Sequence, residues 1–290
     1  MNLLVSAIEA SRSHLEHVLG PEVFRADRNE YLSSSAYNLI EGVKAEDFAK
    51  DLACAAGNEL VSHDGKPEKF CAAHSSSALV VNSFGPFRNH PERLSWAGTG
   101  GFSRAWFEKK CRNGLRAPTP PHLDFLAERP DAVLAVESKY LEPLGQRQAE
   151  FSDQYETRFK KPARGMIPAE EPWVRAYDVL KGQPTYFKRL DAAQLIKHYL
   201  GLRHTYRERR CILVYLYWEP LNSEIFPEYL RHRQEVAEFT QMVAGCETCF
   251  GSMSYPILWK EWELQPFWSG MGLHVQRLRE RYSFSITVRR

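Results

Sequence analysis

Two acidic residues and a lysine stand where two short β-strands are expected. Asp124 lies in the stretch Pro121–Leu126, while Glu137 and Lys139 end an apolar run that begins at Ala132. Side chains alternate along a strand, so Glu137 and Lys139 are predicted to share one face. A charged turn over residues 128–131 lets the two strands run antiparallel, which brings Asp124 next to Glu137. The pattern therefore predicts two carboxylates and an ammonium group in one small volume.

These three groups are suited to metal-assisted hydrolysis of a phosphodiester bond. Hard cations such as Mg²⁺ bind through one or two carboxylates and keep several waters, and a nearby lysine can orient or help to deprotonate the attacking water. We therefore expect Asp124 and Glu137 to bind Mg²⁺, with Mn²⁺ as an alternative ion. Lys139 is expected to position or activate the water.

The same residues resemble the PD-(D/E)xK nuclease superfamily, which has the restriction-endonuclease-like fold. Asp124 stands at the first acidic position of its motif, and Glu137-Ser138-Lys139 forms its ExK element. The proline of the motif is displaced, because Pro121 precedes Asp124 by three residues instead of one. Glu and Lys two residues apart occur by chance in most chains of this length. The resemblance therefore depends on the buried strand that precedes them.

A longer pattern is similar to a small family of bacterial restriction-endonuclease-like proteins. The segments that carry this likeness are Ser75–Leu79, Asn82, Phe84–Pro86, Phe107–Glu108 and Leu123–Phe125.

The resemblance implies further site residues. Ser138 would supply its backbone carbonyl as a metal ligand, and Glu108, an acidic residue that precedes Asp124, would complete the metal site. Gln194 and Lys197, three residues apart on a later helix, would bind the nucleic-acid backbone or water. For Glu108 and Lys197, a solvated surface charge is an equally good interpretation of the sequence.

The elements that must position these residues follow from the apolar periodicity. Helices are predicted over residues 3–19, 44–60, 78–84, 148–161, 172–181, 190–200, 223–244 and 270–281, and strands over 102–111, 121–126, 132–139, 210–218 and 250–259. Ser75–Ser77 are predicted to cap the third helix, with contact to substrate phosphate as the less favoured alternative, and Gly85-Pro86 to end it. A strand is the alternative for residues 78–81. Asp191 is predicted to cap the helix over residues 190–200.

This order of elements is that of the αβββαβ core of the resembled superfamily. We therefore predict an α/β fold with a mixed central sheet flanked by helices. The chain is predicted to form one nuclease domain, with a helical N-terminal extension (1–74), the core (75–265) and a C-terminal helix and tail (266–290).

Composition limits the alternatives. The 290 residues are 43% hydrophobic and 26% charged, which is close to globular averages, and the formal net charge is only +2. A nucleic-acid partner must therefore be argued from local charge.

The six cysteines are irregularly spaced, and Cys246 and Cys249 form a single CxxC pair, which is half of a zinc site, so ordinary thiols are favoured over metal ligands. With no basic leader before Glu9 and no stretch of membrane length, a cytoplasmic protein is expected.

Three functions are compatible with the pattern. The first is a magnesium-dependent, restriction-like DNA endonuclease. The second is a nuclease of the same superfamily that acts in DNA repair, in mobile-element processing or on RNA. The third is a nucleic-acid-binding protein that uses the same scaffold without cleaving. The intact Asp, Glu and Lys argue against the third, and a homodimer is left open.

Overall fold

The computed structural model describes most of the chain. The described residues are 2–54, 59–62, 65–115, 120–160, 171–266 and 268–288, without the side chains of Arg158 and Lys160.

Five strands form one mixed sheet, and the spatial order of the strands is their order in the chain. The strands are β1 (Arg104–Lys110), β2 (His122–Glu128), β3 (Ala132–Lys139), β4 (Arg210–Tyr217) and β5 (Cys249–Ser254). β1, β2 and β3 are antiparallel neighbours, whereas β3, β4 and β5 pair in parallel. Parallel neighbours need crossover connections, and helices supply them.

The α-helices of the described residues lie on both faces of the sheet. They are α1 (Leu3–Leu19), α2 (Ala49–Ala53), α3 (Ser76–Asn89), α4 (Asp153–Lys160), α5 (Pro172–Gly182), α6 (Ala192–Thr205), α7 (Pro227–Met242), α8 (Tyr255–Leu264) and α9 (Met271–Tyr282). Short 3-10 helices occupy Pro21–Val23, Ser35–Asn38, Ala45–Asp47, Lys69–Cys71, Pro91–Arg93, Glu142–Leu144 and Ser223–Ile225. The chain is thus a mixed α/β protein, as predicted.

Two apolar cores sandwich the sheet. One contains Leu134 and Val136 with residues of α1, α3, α8 and α9, and the other contains Val133 and Ala135 with residues of α4 to α7. Alternate residues of β3 thus enter opposite cores, as the period of a strand requires. The run from Ala132 to Val136 is apolar throughout because both faces of β3 are covered.

The predicted helix over residues 44–60 is wrong in length. The chain forms a 3-10 turn at Ala45–Asp47 and then only the short α2, while residues 55–58 lie outside the described residues. Asp51 in α2 accepts hydrogen bonds from the Arg88 side chain and from the Phe107 backbone N–H, which tie this segment to α3 and β1. Tertiary contacts override the weak local helical pattern here, and the N-terminal region is less helical than predicted.

Ser75 caps α3 as predicted, since its hydroxyl accepts the Ala78 backbone N–H at 3.1 Å. The predicted end of this helix at Gly85-Pro86 is wrong, because α3 continues to Asn89. A Cβ on Gly85 would come within 2.9 Å of Val43, so the glycine serves close packing. Phe87, one residue after the proline, packs its ring against Trp262, and this burial offsets the lost helical hydrogen bond.

The predicted strand over residues 250–259 is also too long, because α8 begins at Tyr255. Tyr255, Leu258, Trp259 and Trp262 are buried and recur at helical spacing, a signal that the sequence already contains. The remaining predicted elements are present with shifted ends. The largest shifts, of five residues each, are the start of α4 at Asp153 and the end of α6 at Thr205. Residue 161, at the predicted end of α4, lies outside the described residues. No helix in the described parts of the chain has the length and apolar character needed to cross a membrane.

Candidate active site

Asp124 and Glu137 lie opposite each other on β2 and β3. Phe125 pairs with Val136 in the antiparallel register, so the next position places Asp124 across from Glu137. The regular pairing of the two strands ends at this level. Asp124 Oδ2 instead accepts the backbone N–H of Ser138 at 2.6 Å. A side-chain carboxylate therefore joins the two strands where their backbone pairing stops.

Glu108 extends this row onto the neighbouring strand. In the register of β1 and β2, Phe107 pairs with Phe125 and Lys109 with Leu123, which places Glu108 level with Asp124. Glu108 has a φ of +48°, in the left-handed region that is costly for a residue with a side chain. Glu108 Oε2 lies 3.4 Å from His122 Nδ1. The predicted third carboxylate is thus beside Asp124 in the sheet, while its own carboxylate contacts His122.

Lys139 is held between Glu137 and Gln194. Its Nζ donates to Glu137 Oε1 at 2.5 Å and to Gln194 Oε1 at 2.9 Å, and its side chain is 13% exposed. Glu137 and Lys139 therefore share a face of β3, and Gln194 on α6 reaches the same group. Asp191, the predicted cap of α6, accepts the Gln194 backbone N–H at 3.0 Å. This bond fixes the first turn of the helix next to β3.

Lys197, the other predicted nucleic-acid-binding residue, has a different environment. Its side chain is half-buried, and its Nζ lies 5.7 Å from the centre of the Phe151 ring. The structure thus brings Gln194, but not Lys197, to the Lys139 amine.

The Ser138 side chain lies on the other face of the sheet from Glu137 and Lys139. Its hydroxyl lies 2.7 Å from the Tyr255 hydroxyl at the start of α8, on the face opposite to α6. The alternation of Glu137, Ser138 and Lys139 is therefore as the sequence predicts. A metal-binding role for the Ser138 carbonyl stays a prediction.

His198 also contacts Glu137, and it was not predicted from the sequence. Its Nε2 lies 2.8 Å from Glu137 Oε2, and the side chains of both residues are only 1% exposed. His198 follows Gln194 by four residues, so the two share a helix face. That spacing was visible in the sequence once Gln194 had been selected.

Asp124 is a carboxylate whose charge is disfavoured. Burial raises its pKa well above the usual value, and repulsion from Glu137 and Glu108 raises it further. Lys139 and the Ser138 N–H act in the opposite direction without reversing the shift. A bound cation would relieve this cost, because it would favour the charged form.

Glu137 and Lys139 form a charged pair. Burial alone would raise the pKa of Glu137, but Lys139 and His198 outweigh it and lower the pKa to about 2. Burial would lower the pKa of Lys139, yet Glu137, Glu142 and Asp124 outweigh it and raise that pKa. At neutral pH the ammonium group is therefore a fixed positive charge beside Glu137.

The donor set fits a cation that needs few protein ligands. Glu137 Oε2 is buried without a hydrogen-bond partner among the described residues, whereas Oε1 accepts from Lys139. Within the described ranges, no three His, Cys, Asp or Glu side chains are grouped to hold a metal ion. Mg²⁺ commonly uses one or two carboxylates and completes its shell with waters and substrate phosphate. Asp124 and Glu137 therefore suit Mg²⁺ better than a metal that requires a cage of side chains.

The Cys246 thiol lies within hydrogen-bonding distance of other groups. Its Sγ accepts from the Trp173 indole N–H at 3.1 Å and lies 2.9 Å from the Thr248 carbonyl oxygen. Neither Cys246 nor Cys249 belongs to a metal-binding group of described residues.

Comparison with known families gives a match over most of the chain. A family model described as "Restriction Endonuclease associating with ARP" matches residues 13–283, a range that contains every site residue named above and most of both cores. Comparison with curated proteins gives no significant match. Comparison with solved structures gives none either.

Proposed function

Because this chain belongs to the family of restriction endonucleases associating with ARP, we propose that it is a magnesium-dependent DNA endonuclease of the restriction type. It would hydrolyse phosphodiester bonds in DNA. The family match supports a nuclease-like role, and the arrangement of Asp124, Glu137 and Lys139 supports the choice of a metal-assisted reaction.

The order of elements supports a PD-(D/E)xK core. α3 precedes the antiparallel strands β1 to β3, α6 lies between β3 and the parallel β4, and α7 leads to β5. This succession is compatible with the proposed αβββαβ order, with α4 and α5 as additional helices between β3 and α6 and with β5 as a further parallel strand. The acidic positions fall on β2 and β3, where the resemblance places them.

Asp124 and Glu137 would hold the ion, with the Ser138 backbone carbonyl as a further ligand. A bound Mg²⁺ supplies charge stabilisation at the scissile phosphate and lowers the pKa of a bound water. The protein's own contribution is to hold two carboxylates at one level of the sheet. Asp124 is fixed by the Ser138 N–H, and Glu137 is fixed by Lys139.

Lys139 would position the attacking water. Its amine is held by Glu137 and Gln194 on one side, and two of its three N–H donors are used by these contacts. One donor remains to orient a water or a phosphate oxygen. Gln194 thus acts on the reaction through Lys139, in addition to any contact with the nucleic acid. Glu108, level with Asp124, would add negative charge beside the ion.

The observation that carries this proposal is the opposition of Asp124 and Glu137 at the end of the β2–β3 pairing, with Lys139 on the same face as Glu137. The test is incubation of the purified protein with varied plasmid and phage DNA in Mg²⁺, in Mn²⁺ and in EDTA. Cleavage that requires Mg²⁺ or Mn²⁺ is expected. DNA binding without cleavage in either ion would instead support a non-cleaving scaffold protein.

A further inference from the structure

α6 contacts β3 at two matched positions. Gln194 meets Lys139, and His198 meets Glu137. Four residues of α-helix rise about 6 Å, and two residues of a strand rise about 6.6 Å, so both contacts can form at once. His198 follows Gln194 on α6, whereas Glu137 precedes Lys139 on β3, so the helix and the strand run in opposite directions. This direction is expected of a helix in the crossover between the parallel strands β3 and β4.

His198 differs from the other buried histidines of the described residues. His232 Nε2 lies 2.9 Å from the Tyr215 hydroxyl, and His274 Nε2 lies 3.2 Å from the Ser83 carbonyl oxygen. His198 has neither kind of neutral partner. Its Nδ1 is buried without a hydrogen bond to any described residue, and its Nε2 lies 2.8 Å from the carboxylate oxygen Oε2 of Glu137.

His232 and His274 each pair one ring nitrogen with a neutral oxygen, because unpaired buried polar atoms are costly. The packing of α6 instead places His198 Nε2 2.8 Å from Glu137 Oε2, the carboxylate oxygen that does not accept from Lys139. That oxygen has two acceptor positions, and the ring approaches one of them. The contact therefore limits rotation of the carboxylate and leaves the remaining position for another ligand.

We propose that His198 is a positioning residue that fixes Glu137 Oε2 for binding of the divalent ion. This inference rests on the proposed function, because it assumes that Glu137 is a metal ligand. Residues that orient a ligand in this way commonly change metal affinity by about 10–100-fold when they are replaced.

The test compares His198→Gln with His198→Asn. A glutamine amide can place a donor near the position of Nε2, whereas the shorter asparagine amide lies nearer to the position of Nδ1. Both replacements are polar and similar in size, so they differ mainly in whether a donor reaches Glu137. His274→Gln is the matched control, since His274 is buried on the opposite side of the sheet and bonds a backbone carbonyl.

Two quantities are measured for each variant: the Kd for Mn²⁺ by calorimetric titration without DNA, and the Mg²⁺ concentration that gives half-maximal single-turnover cleavage. We expect His198→Asn to raise both by about tenfold or more. We expect His198→Gln to raise them less than threefold and His274→Gln to leave them unchanged. A structural defect alone would lower the folded fraction without separating the two His198 variants in metal affinity.

The outcomes separate this inference from the proposed function. Wild-type protein that binds no Mn²⁺ and cleaves no DNA would contradict the proposed function and this inference with it. If the wild-type protein binds Mn²⁺ and both His198 variants bind it with the same affinity, the proposed role of His198 is overturned while the proposed function stands.

Discussion

Asp124 and Glu137 face each other across β2 and β3, yet their surroundings shift their pKa values in opposite directions. Burial and two neighbouring carboxylates raise the pKa of Asp124, whereas Lys139 and His198 outweigh burial and lower that of Glu137. In the metal-free protein, the charge on Asp124 therefore opposes folding, and the charge on Glu137 supports it. Replacing each by its amide should separate the two roles.

Asp124→Asn should stabilise the metal-free protein while abolishing cleavage. The amide removes a disfavoured buried charge, and its oxygen can still accept the Ser138 N–H. We expect the free energy of unfolding at pH 7.5 in EDTA to rise by about 1 kcal/mol. Urea denaturation measures this change, and a loss of more than 1 kcal/mol would mean that Asp124 serves the fold.

Glu137→Gln should destabilise the metal-free protein and also abolish cleavage. It leaves the Lys139 ammonium without its closest counter-charge in a buried position. Breaking a fully buried ion pair costs about 3–5 kcal/mol, and the nearby Asp124 and Glu142 should reduce the loss to about 2 kcal/mol. The same denaturation series measures it. Equal effects of the Asp124 and Glu137 amides on stability would contradict the assigned electrostatics.

Lys139→Ala should retain DNA binding and lose single-turnover cleavage by about two to four orders of magnitude at saturating Mg²⁺, the usual range for a positioned general acid or base. DNA affinity is measured in Ca²⁺, so that binding is separated from chemistry. Lys181→Ala, which removes a surface lysine that pairs with Glu156, is the control. Full cleavage with weakened DNA affinity would show that Lys139 contributes only attraction to phosphate.

Two buried histidines predict an acid-sensitive fold. Burial lowers the pKa of His232 to about 3 and that of His274 to about 4, whereas both take up protons near pH 6.5 once unfolded. Their contribution to stability is therefore present above pH 6.5 and is lost as the pH falls towards their folded pKa values. Between pH 7 and pH 5, each should cost about 2 kcal/mol of unfolding free energy.

His232→Gln should remove one of these contributions. The difference in unfolding free energy between pH 7 and pH 5 should then be about 2 kcal/mol smaller than in the wild type. An unchanged pH dependence would mean that His232 does not remain neutral in the fold.

The local geometry of the site, within and between neighbouring strands, could be predicted from the sequence. The two-residue period of the strand predicted that Glu137 and Lys139 share a face, and the charged turn predicted the antiparallel approach of Asp124. The cap of α6 by Asp191 also followed from residue type. Each of these depends on neighbours within about 15 residues, for which local rules are strong.

The rest required tertiary information. Which face of α6 meets β3 depends on the crossover from β3 to β4, so His198 could not be assigned to Glu137 by periodicity alone. The passage of α3 through Gly85-Pro86 depends on Val43 and Trp262, which are distant in sequence. In both cases, long-range packing decided between local alternatives.

The most direct test of the central claim is to locate Mn²⁺ in crystals of the protein by anomalous diffraction. We expect one ion bound by carboxylate oxygens of both Asp124 and Glu137 at about 2 Å, the distance range of hard divalent ions, with the Ser138 carbonyl in the same shell. An ion bound elsewhere in a protein that cleaves DNA, with no density between Asp124 and Glu137, would contradict it.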